Sequence, residues 1–200
     1  MVEGEVCMKS VSLAVLLLLV LAGALCGQEN QNEGRVTQRV QPGGMIRIEL
    51  SAGGYTISGS DSNAIVVTFE QPQQVKVQIK ATDSGADVSI QNTPHSNFHA
   101  QIEVPRHSSL WVRLSAGELK ISDVVGNKDV ESLAGSVEIE VAHPEEYGHR
   151  DASVTAGELS ASAFGVSKGG LWRSFHQEGP GKYRLHAHVG SGSLTLRASN

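Results

Sequence analysis

Cysteine is almost absent from this 200-residue chain, which contains only Cys7 and Cys26. Both lie within the first 27 residues, so the rest of the chain cannot form an internal disulfide and needs its own core for stability. Aromatic residues make up 4% and charged residues 18% of the sequence. This composition excludes a disulfide scaffold and a highly charged disordered protein. The 22 glycines favour a β-rich fold with many turns.

Motifs for catalysis and for nucleotide binding are missing as well. The sequence has no Walker A phrase, no dinucleotide fingerprint and no S-x-x-K arrangement. Its formal net charge is −5 and no basic patch stands out, so nucleic acid is not an expected partner. We therefore predict a protein that is not an enzyme and uses no cofactor and no metal.

One long apolar run is present, and it lies at the N-terminus. Lys9 precedes "VSLAVLLLLVLAGAL", and Ala22 and Ala24 form an A-x-A arrangement. Residues 1–27 are therefore predicted to be a signal peptide, and the mature chain to be exported. A membrane anchor is the alternative, but the run is short for a span and no basic cluster follows it. Met8 is a possible true start, because the preceding "MVEGEVC" is acidic.

Cys26 follows the apolar run, where bacterial lipoproteins carry their acylated cysteine. The residue before a lipidated cysteine is normally small, whereas here it is Leu25. Cleavage after Ala24 without lipidation is the alternative. The predicted location is the periplasm or the cell surface, with a lipid anchor at Cys26 left open.

Beyond the signal, the chain divides into two parts. Residues 28–38, "QENQNEGRVTQ", are polar and are predicted to be a flexible tether. Residues 39–200 alternate apolar and polar side chains, which indicates strands buried on one face and a single β domain. The inward sets of these strands begin at Ile46, Ile65, Val75, Leu110, Val137 and Tyr183.

A short phrase recurs in this domain, in which a small residue and a glycine precede an apolar-alternating run. The copies are "LSAGGYTIS", "LSAGELKIS", "LAGSVEIEV", "VTAGELSAS" and "GSGSLTLRA", with a weaker one in "DSGADVSIQ". Each glycine stands two residues before the first inward side chain. Glycine at that place permits a positive φ or a tight corner.

The spacing of the glycines favours one architecture over another. Steps of 18 and 22 residues separate Gly117, Gly135 and Gly157, and such steps match the coils of a β-solenoid. We expect a β-helix-like roll of stacked coils, with the corner glycines aligned along one edge and an antiparallel N-terminal portion. A β-sandwich is the alternative, although it gives no reason for one corner phrase to recur.

The order of these phrases resembles that of the bacterial putative-adhesin domains, a family of exported all-β proteins. The resemblance rests on "IRIELSAGGYTISGSDSNAIVV", on "IEVPRHSSLWVRLSAGELKI" and on the terminal "GSGSLTLR". It covers residues 40–198 and implies an exported solenoid-like fold without assigned catalytic residues. The region "FGVSKGGLWRSFHQEGPG" is less typical of the family.

Eight histidines raise the question of a metal site. His186 and His188 form an H-x-H on the outward face of one strand, but the sequence gives no third ligand. We interpret them as solvated, and His95 and His99 as loop residues. "DSGAD", from Asp83, lacks the acidic twelfth position of a calcium loop and is predicted to be a turn between strands.

Trp111 is the candidate ligand-binding residue. It lies on the outward face of "SLWVRL", where an indole can stack on a sugar or a partner protein. Cover by a neighbouring strand is the alternative. Trp172 is placed in a loop or at the end of the core.

These features predict an exported, non-catalytic β-repeat protein that acts as an adhesin or as an envelope binding or structural module. Its partner is an unidentified envelope or surface protein or glycan. Two alternatives remain open. One is an envelope-stress or regulatory module. The other is a polysaccharide-active enzyme on a β-helix, disfavoured because acidic residues are dispersed and only Glu138 and Glu140 form a close pair.

Overall fold

The structure is a computed structural model that describes residues 33–70, 73–94 and 97–199, without the side chains of residues 167–172. The predicted signal peptide, Met8, Cys26 and His95 lie outside the described residues. The described residues form one compact unit. Within the described ranges, no helix has the length and apolar character needed to span a bilayer.

The described residues form strands and two short 3-10 turns, so the predicted all-β class is confirmed. The turns are Pro144–Glu146 and Ser162–Phe164. The strands are β1 (Glu33–Arg39), β2 (Met45–Leu50), β3 (Gly53–Ser60), β4 (Ala64–Glu70), β5 (Lys76–Thr82), β6 (Gly85–Gln91), β7 (His99–Pro105), β8 (Ser109–Ser122), β9 (Lys128–Val141), β10 (Tyr147–Ala161), β11 (Val166–Glu178) and β12 (Tyr183–Ala198).

These strands join in one mixed, unclosed sheet that branches at β8. The first half of β8 pairs with β2, and the second half pairs with β3. One branch continues from β2 through β6 to β5, and the other continues from β3 through β7 and β4 to β1. On the other side of β8 lie β9, β12, β10 and β11 in that order. Two diverging branches agree with the sandwich alternative.

The corner glycines line up across neighbouring parallel strands, as the sequence predicts. Gly117 is in register with Gly53 on one side and with Gly135 on the other. Gly192 is in register with Gly135 and with Gly157. We call this row of five residues the glycine ladder.

The inward positions after the corners are buried, which confirms the predicted face of each strand. Leu119, Val137, Leu159 and Leu194 are all at most 2% exposed. They belong to a single apolar cluster that draws residues from both branches of the sheet. Burying such a side chain contributes roughly 1.5–3 kcal/mol to the stability of the fold. Each copy of the repeated phrase therefore adds at least one large apolar side chain to the core.

The order of the strands differs from a simple succession of coils. The last strand, β12, lies between β9 and β10 and runs parallel to both. The chain turns back at Gly165, whose φ of 72° is left-handed, and β11 then pairs antiparallel with the outer edge of β10. Only the inner edge of β10 is left for β12.

Two local predictions are corrected by the structure. Residues 33–38 of the predicted tether belong to β1, which pairs antiparallel with β4. Gly85, in the weaker copy of the phrase, pairs with Met45 and stands apart from the glycine ladder. The 3-10 turn from Pro144 leads directly into β10, so His149 and Asp151 lie in a strand.

Other local predictions hold. The residues from Asp83 to Ser84 form the turn between antiparallel β5 and β6, as expected for "DSGAD". The N-terminal portion contains antiparallel pairs, β1 with β4 among them. The less typical region after Phe164 is chiefly strand β11.

Candidate functional site

A groove of about 450 Å³ crosses the outward face of five neighbouring strands. Its outward side chains come from β2, β6, β8, β9 and β12. We call it the Trp111 groove; residues that line it include Glu49, Gln91, Trp111, Arg113, Glu131, Leu133 and His188. Parallel pairing in register brings these residues together, because side chains two apart on one strand share a face with their cross-strand neighbours.

Trp111 lies in this groove, but it is less open than the sequence predicts. The indole is half-buried, and the guanidinium carbon of Arg113 lies 4.0 Å from the ring centroid. A cation at this distance from an indole face is held by the ring quadrupole. The indole is therefore covered on one side by Arg113, and a role of Trp111 in ligand binding stays a prediction.

Arg113 is itself held by two carboxylates of β9. Its Nη1 donates to Asp129 Oδ1 at 2.8 Å, and its Nε lies 3.2 Å from Glu131 Oε2. A guanidinium with two carboxylate partners and a ring beneath it has little rotamer freedom left. Trp111, Arg113, Asp129 and Glu131 thus form a fixed polar and aromatic wall.

Leu133 is an exposed apolar residue in the same groove, in contrast to the polar side chains around Arg113. It belongs to the glycine phrase of β9 yet is 76% exposed. Met45, at 37%, is the other exposed large apolar residue among those described, and it lies outside the groove. The indole and the exposed leucine are separated by the Arg113–Glu131 pair, because Trp111 is in register with Asp129, four residues before Leu133. Two apolar groups in one groove are a feature of binding surfaces.

The close carboxylate pair considered for catalysis is engaged elsewhere. Arg197 of β12 donates to Glu138 Oε1 at 2.5 Å and to Glu140 Oε2 at 2.8 Å. Both carboxylates therefore pair with one cation on the neighbouring strand, although Glu138 also lines a second groove with Glu118 and Lys120. This removes the specific support that the sequence offers for a glycosidase.

The histidines of the H-x-H pair have separate partners. His188 Nδ1 lies 2.9 Å from the hydroxyl of Ser153 on β10, and His186 Nδ1 lies 3.7 Å from Asp151 Oδ2. Asp151 on the neighbouring strand is thus a candidate for the third metal ligand that the H-x-H pair lacks. The spacing of residues along the sequence does not reveal it. Indeed, ligand atoms of Asp129, Glu131 and His186 all lie within 4.8 Å of one another. His99 begins β7 and lies over Gly54.

Lys128 is a buried lysine that is not among the residues predicted from the sequence. It is 1% exposed, and its Nζ donates to the carbonyl of Val124 at 2.8 Å and to the hydroxyl of Tyr147. That hydroxyl in turn donates to the carbonyl of Gly126. Burial lowers the pKa of the Lys128 ammonium to about 7 and raises that of the Tyr147 phenol. Counting back two residues from inward Val130 would have placed Lys128 inside.

Comparisons with known proteins bear on the fold alone. No family model and no curated protein matches the sequence. Among solved structures, a putative cell adhesion protein from Clostridium sporogenes superposes with a TM-score of 0.54 at 13% identity. The superposition covers 84% of this chain and the whole of that one.

A putative adhesin from Parabacteroides merdae also matches, over 86% of this chain and 98% of its own. Its identity is 13% and its TM-score 0.32, too low for a comparison of folds. The chain thus has the fold of the Clostridium sporogenes putative cell adhesion protein, and the resemblance to the putative-adhesin domains, first given by short phrases, is confirmed at the level of the fold.

Proposed function

We propose that this is an exported, non-catalytic binding protein of the cell surface or envelope, and that it binds its partner in the Trp111 groove. The single observation that carries the proposal is the placement of Trp111 and Leu133 in one outward groove that spans five strands. A long flat face built on stacked strands is the type of surface that repeat proteins offer to extended partners.

The chemistry of the groove favours a glycan. The indole and Leu133 provide two separate apolar contacts for the carbon faces of different sugar rings of one extended glycan. Glu49, Gln91 and His188 provide carboxylate, amide and imidazole groups that can exchange hydrogen bonds with its hydroxyls. A mixture of one aromatic platform and several neutral or acidic polar groups suits a saccharide better than a nucleic acid or a lipid tail.

Two further observations support adhesion at a surface. A solved protein that shares this fold is a putative cell adhesion protein from Clostridium sporogenes. The apolar run with its A-x-A arrangement in residues 1–27 has the composition of an export signal. Together they support export, and the groove supplies a means of binding.

The roll of stacked coils belongs to the same proposal. We infer that β8, β9, β12 and β10 form a flattened roll, in which each strand turns the same corner. The glycine ladder supports this description. The placement of β12 between β9 and β10 makes the order of the turns differ from the order of the chain.

The test is a glycan array followed by titration calorimetry on the purified chain. We expect binding to at least one class of neutral or amino sugar polymer. Trp111→Ala and Leu133→Ser are expected to weaken it by about tenfold or more, as for residues at the centre of an interface. Met45→Ser is the matched control, since it also removes an exposed apolar side chain but lies outside the groove.

Two results would contradict the proposal. One is an array without any bound glycan while a protein partner binds at the groove, which would favour the regulatory alternative. The other is glycan binding that Met45→Ser weakens as much as Leu133→Ser does, because the groove would then not be the site.

A further inference from the structure

Two short motifs of one type face each other on the antiparallel strands β10 and β11. Strand β10 carries His149 and Asp151, and strand β11 carries His176 and Glu178. In the register of this pair, His149 is opposite Glu178 and Asp151 is opposite His176. Residues two apart share a face, so the four side chains form a square on one face of the ribbon.

That face is the outward one. Ala152 is fully buried, as is most of Phe175, and these two residues point to the core from the same strands. The four residues of the square have the opposite phase and are half-buried or exposed. The square is therefore open to ions from solvent and lies at the β11 end of the sheet path, away from the Trp111 groove.

The nitrogen and oxygen atoms of the square converge. His149 Nδ1 lies 2.7 Å and His176 Nε2 lies 3.1 Å from the same oxygen, Glu178 Oε1. The ring centroids of the two histidines are 4.9 Å apart. Ligand atoms of His149, Asp151 and His176 also lie within 4.8 Å of one another.

These separations suit a small divalent cation. Zinc binds imidazole nitrogen and carboxylate oxygen at about 2.0–2.2 Å in a tetrahedron, which puts neighbouring ligand atoms about 3.3 Å apart. The two distances to Glu178 Oε1 are close to that value. One carboxylate oxygen that faces two imidazole nitrogens needs an N–H from each ring. A bound divalent cation would take the place of both hydrogens, each imidazole then carrying its proton on its other nitrogen.

We propose that His149, Asp151, His176 and Glu178 form a binding site for one divalent transition-metal ion, of which zinc is the type. His149, His176 and Glu178 are the primary ligands, and Asp151 or water completes the shell.

The surroundings fit this assignment. His186 of β12 lies 3.7 Å from Asp151 Oδ2 and can orient that carboxylate as an outer partner. The guanidinium of Arg150, which follows His149 in the chain, is engaged with Gln177 and with the carbonyls of Tyr147 and Pro144. Arg184 of β12 is in register with His149. In the described contacts no lysine or arginine pairs with the four side chains of the square, and its two carboxylates favour a cation.

Titration calorimetry of the chelator-treated full chain with zinc chloride tests the site. We expect one equivalent to bind, and we expect His149→Gln, His176→Gln or Glu178→Gln each to weaken binding by more than tenfold. His143→Gln is the matched control, because His143 also pairs with a glutamate, Glu145, at 3.5 Å but has no second histidine. It should leave the affinity within about twofold.

A second readout separates ligand loss from misfolding. Zinc should raise the thermal midpoint of the native chain and not that of His176→Gln, while both should have the same midpoint without metal. The proposal is overturned if the native chain takes up no zinc. It is also overturned if His186→Gln abolishes uptake while His176→Gln does not, since the ion would then sit between Asp129, Glu131 and His186.

Discussion

The carbonyl oxygen of Gly117 lies 1.9 Å from the point that a Cβ atom on Gly135 would occupy. The two glycines are neighbours in register on β8 and β9. The same close approach recurs along the glycine ladder. A Cβ atom on Gly192 would meet the carbonyl oxygen of Gly135, and one on Gly157 would meet the carbonyl oxygen of Gly192. The recurring glycine is thus required twice, by a left-handed φ of 121° at Gly135 and by a backbone that leaves no room for a side chain.

Substitution of Gly135 by alanine tests this requirement. The alanine must adopt an unfavourable φ and displace a backbone carbonyl, so we expect a loss of at least about 3 kcal/mol in the free energy of unfolding. Gly165→Ala is the control. Gly165 also has a positive φ, but nothing lies within 4 Å of its added Cβ, and about 1 kcal/mol is expected. Equal losses in urea unfolding would show that φ alone decides.

Two leucines from copies of the same phrase should differ in their importance for stability. Leu194 is fully buried and Leu133 is 76% exposed. We expect Leu194→Ala to lower the free energy of unfolding by about 2–5 kcal/mol, since it leaves a cavity. Leu133→Ala should change it by no more than about 0.5 kcal/mol. Chemical denaturation of both variants checks the pair, and a large loss for Leu133→Ala would contradict the assigned faces.

Lys128 should make stability depend on pH above neutrality. Its pKa in the folded chain is about 7, below the value of about 10.4 for an unfolded lysine. Between these values the unfolded chain binds more protons, so stability rises with pH, by up to roughly 1 kcal/mol per unit. Below pH 7 both states carry the proton and the contribution is constant.

Urea unfolding of the native chain and of Lys128→Met between pH 7.5 and 9.5 measures this dependence. The rise should vanish in Lys128→Met, where no ammonium has to be buried. The upper limit avoids the tyrosines, since burial raises the pKa of Tyr55 to about 12 and that of Tyr147 as well, which makes stability fall once an unfolded phenol ionises. A native chain whose stability is flat over this window would refute the buried lysine.

Arg113 should shield the indole of Trp111 from solvent. In a Trp172→Phe background, Arg113→Ala is expected to increase the quenching of tryptophan fluorescence by acrylamide, because the guanidinium 4.0 Å from the ring is removed. Arg47→Ala is the control, since Arg47 is in register with Trp111 on β2 but pairs with Asp87. Unchanged quenching in Arg113→Ala would mean that the cation does not cover the ring.

The local sequence pattern was sufficient to predict the features that depend on a single strand, namely its inward face and its glycine corner. Period-two alternation gave the inward face of β2, β8 and β9, because successive side chains point to opposite sides of a strand. The glycine phrases gave the corners, because both the φ and the missing Cβ depend on one residue type. The polar stretch before Arg39 was wrongly predicted to be a flexible tether, because Val36 between polar residues gives only a weak alternating pattern. Pairing with β4 makes this stretch a strand.

Function-bearing residues were found only where they lie on one strand. Trp111 could be placed on the outward face, but its cover by Arg113 depends on Asp129 and Glu131 of the next strand. His149 and His176 are far apart in the chain, and the tight turn at Gly165 with the β10–β11 register joins them. Spacing along the sequence contains no such information.

The sequence by itself determined an all-β chain, its inward faces and its glycine corners, because each depends on short-range sterics and on a period of two residues. Only the tertiary structure decided that β12 enters between β9 and β10 and which polar side chains meet on the outer face. The reason is that strand neighbours are chosen by which backbone edges remain unpaired. One edge of β10 is taken by β11, so the final strand pairs at the other and brings His186 beside Asp151 and Asp129.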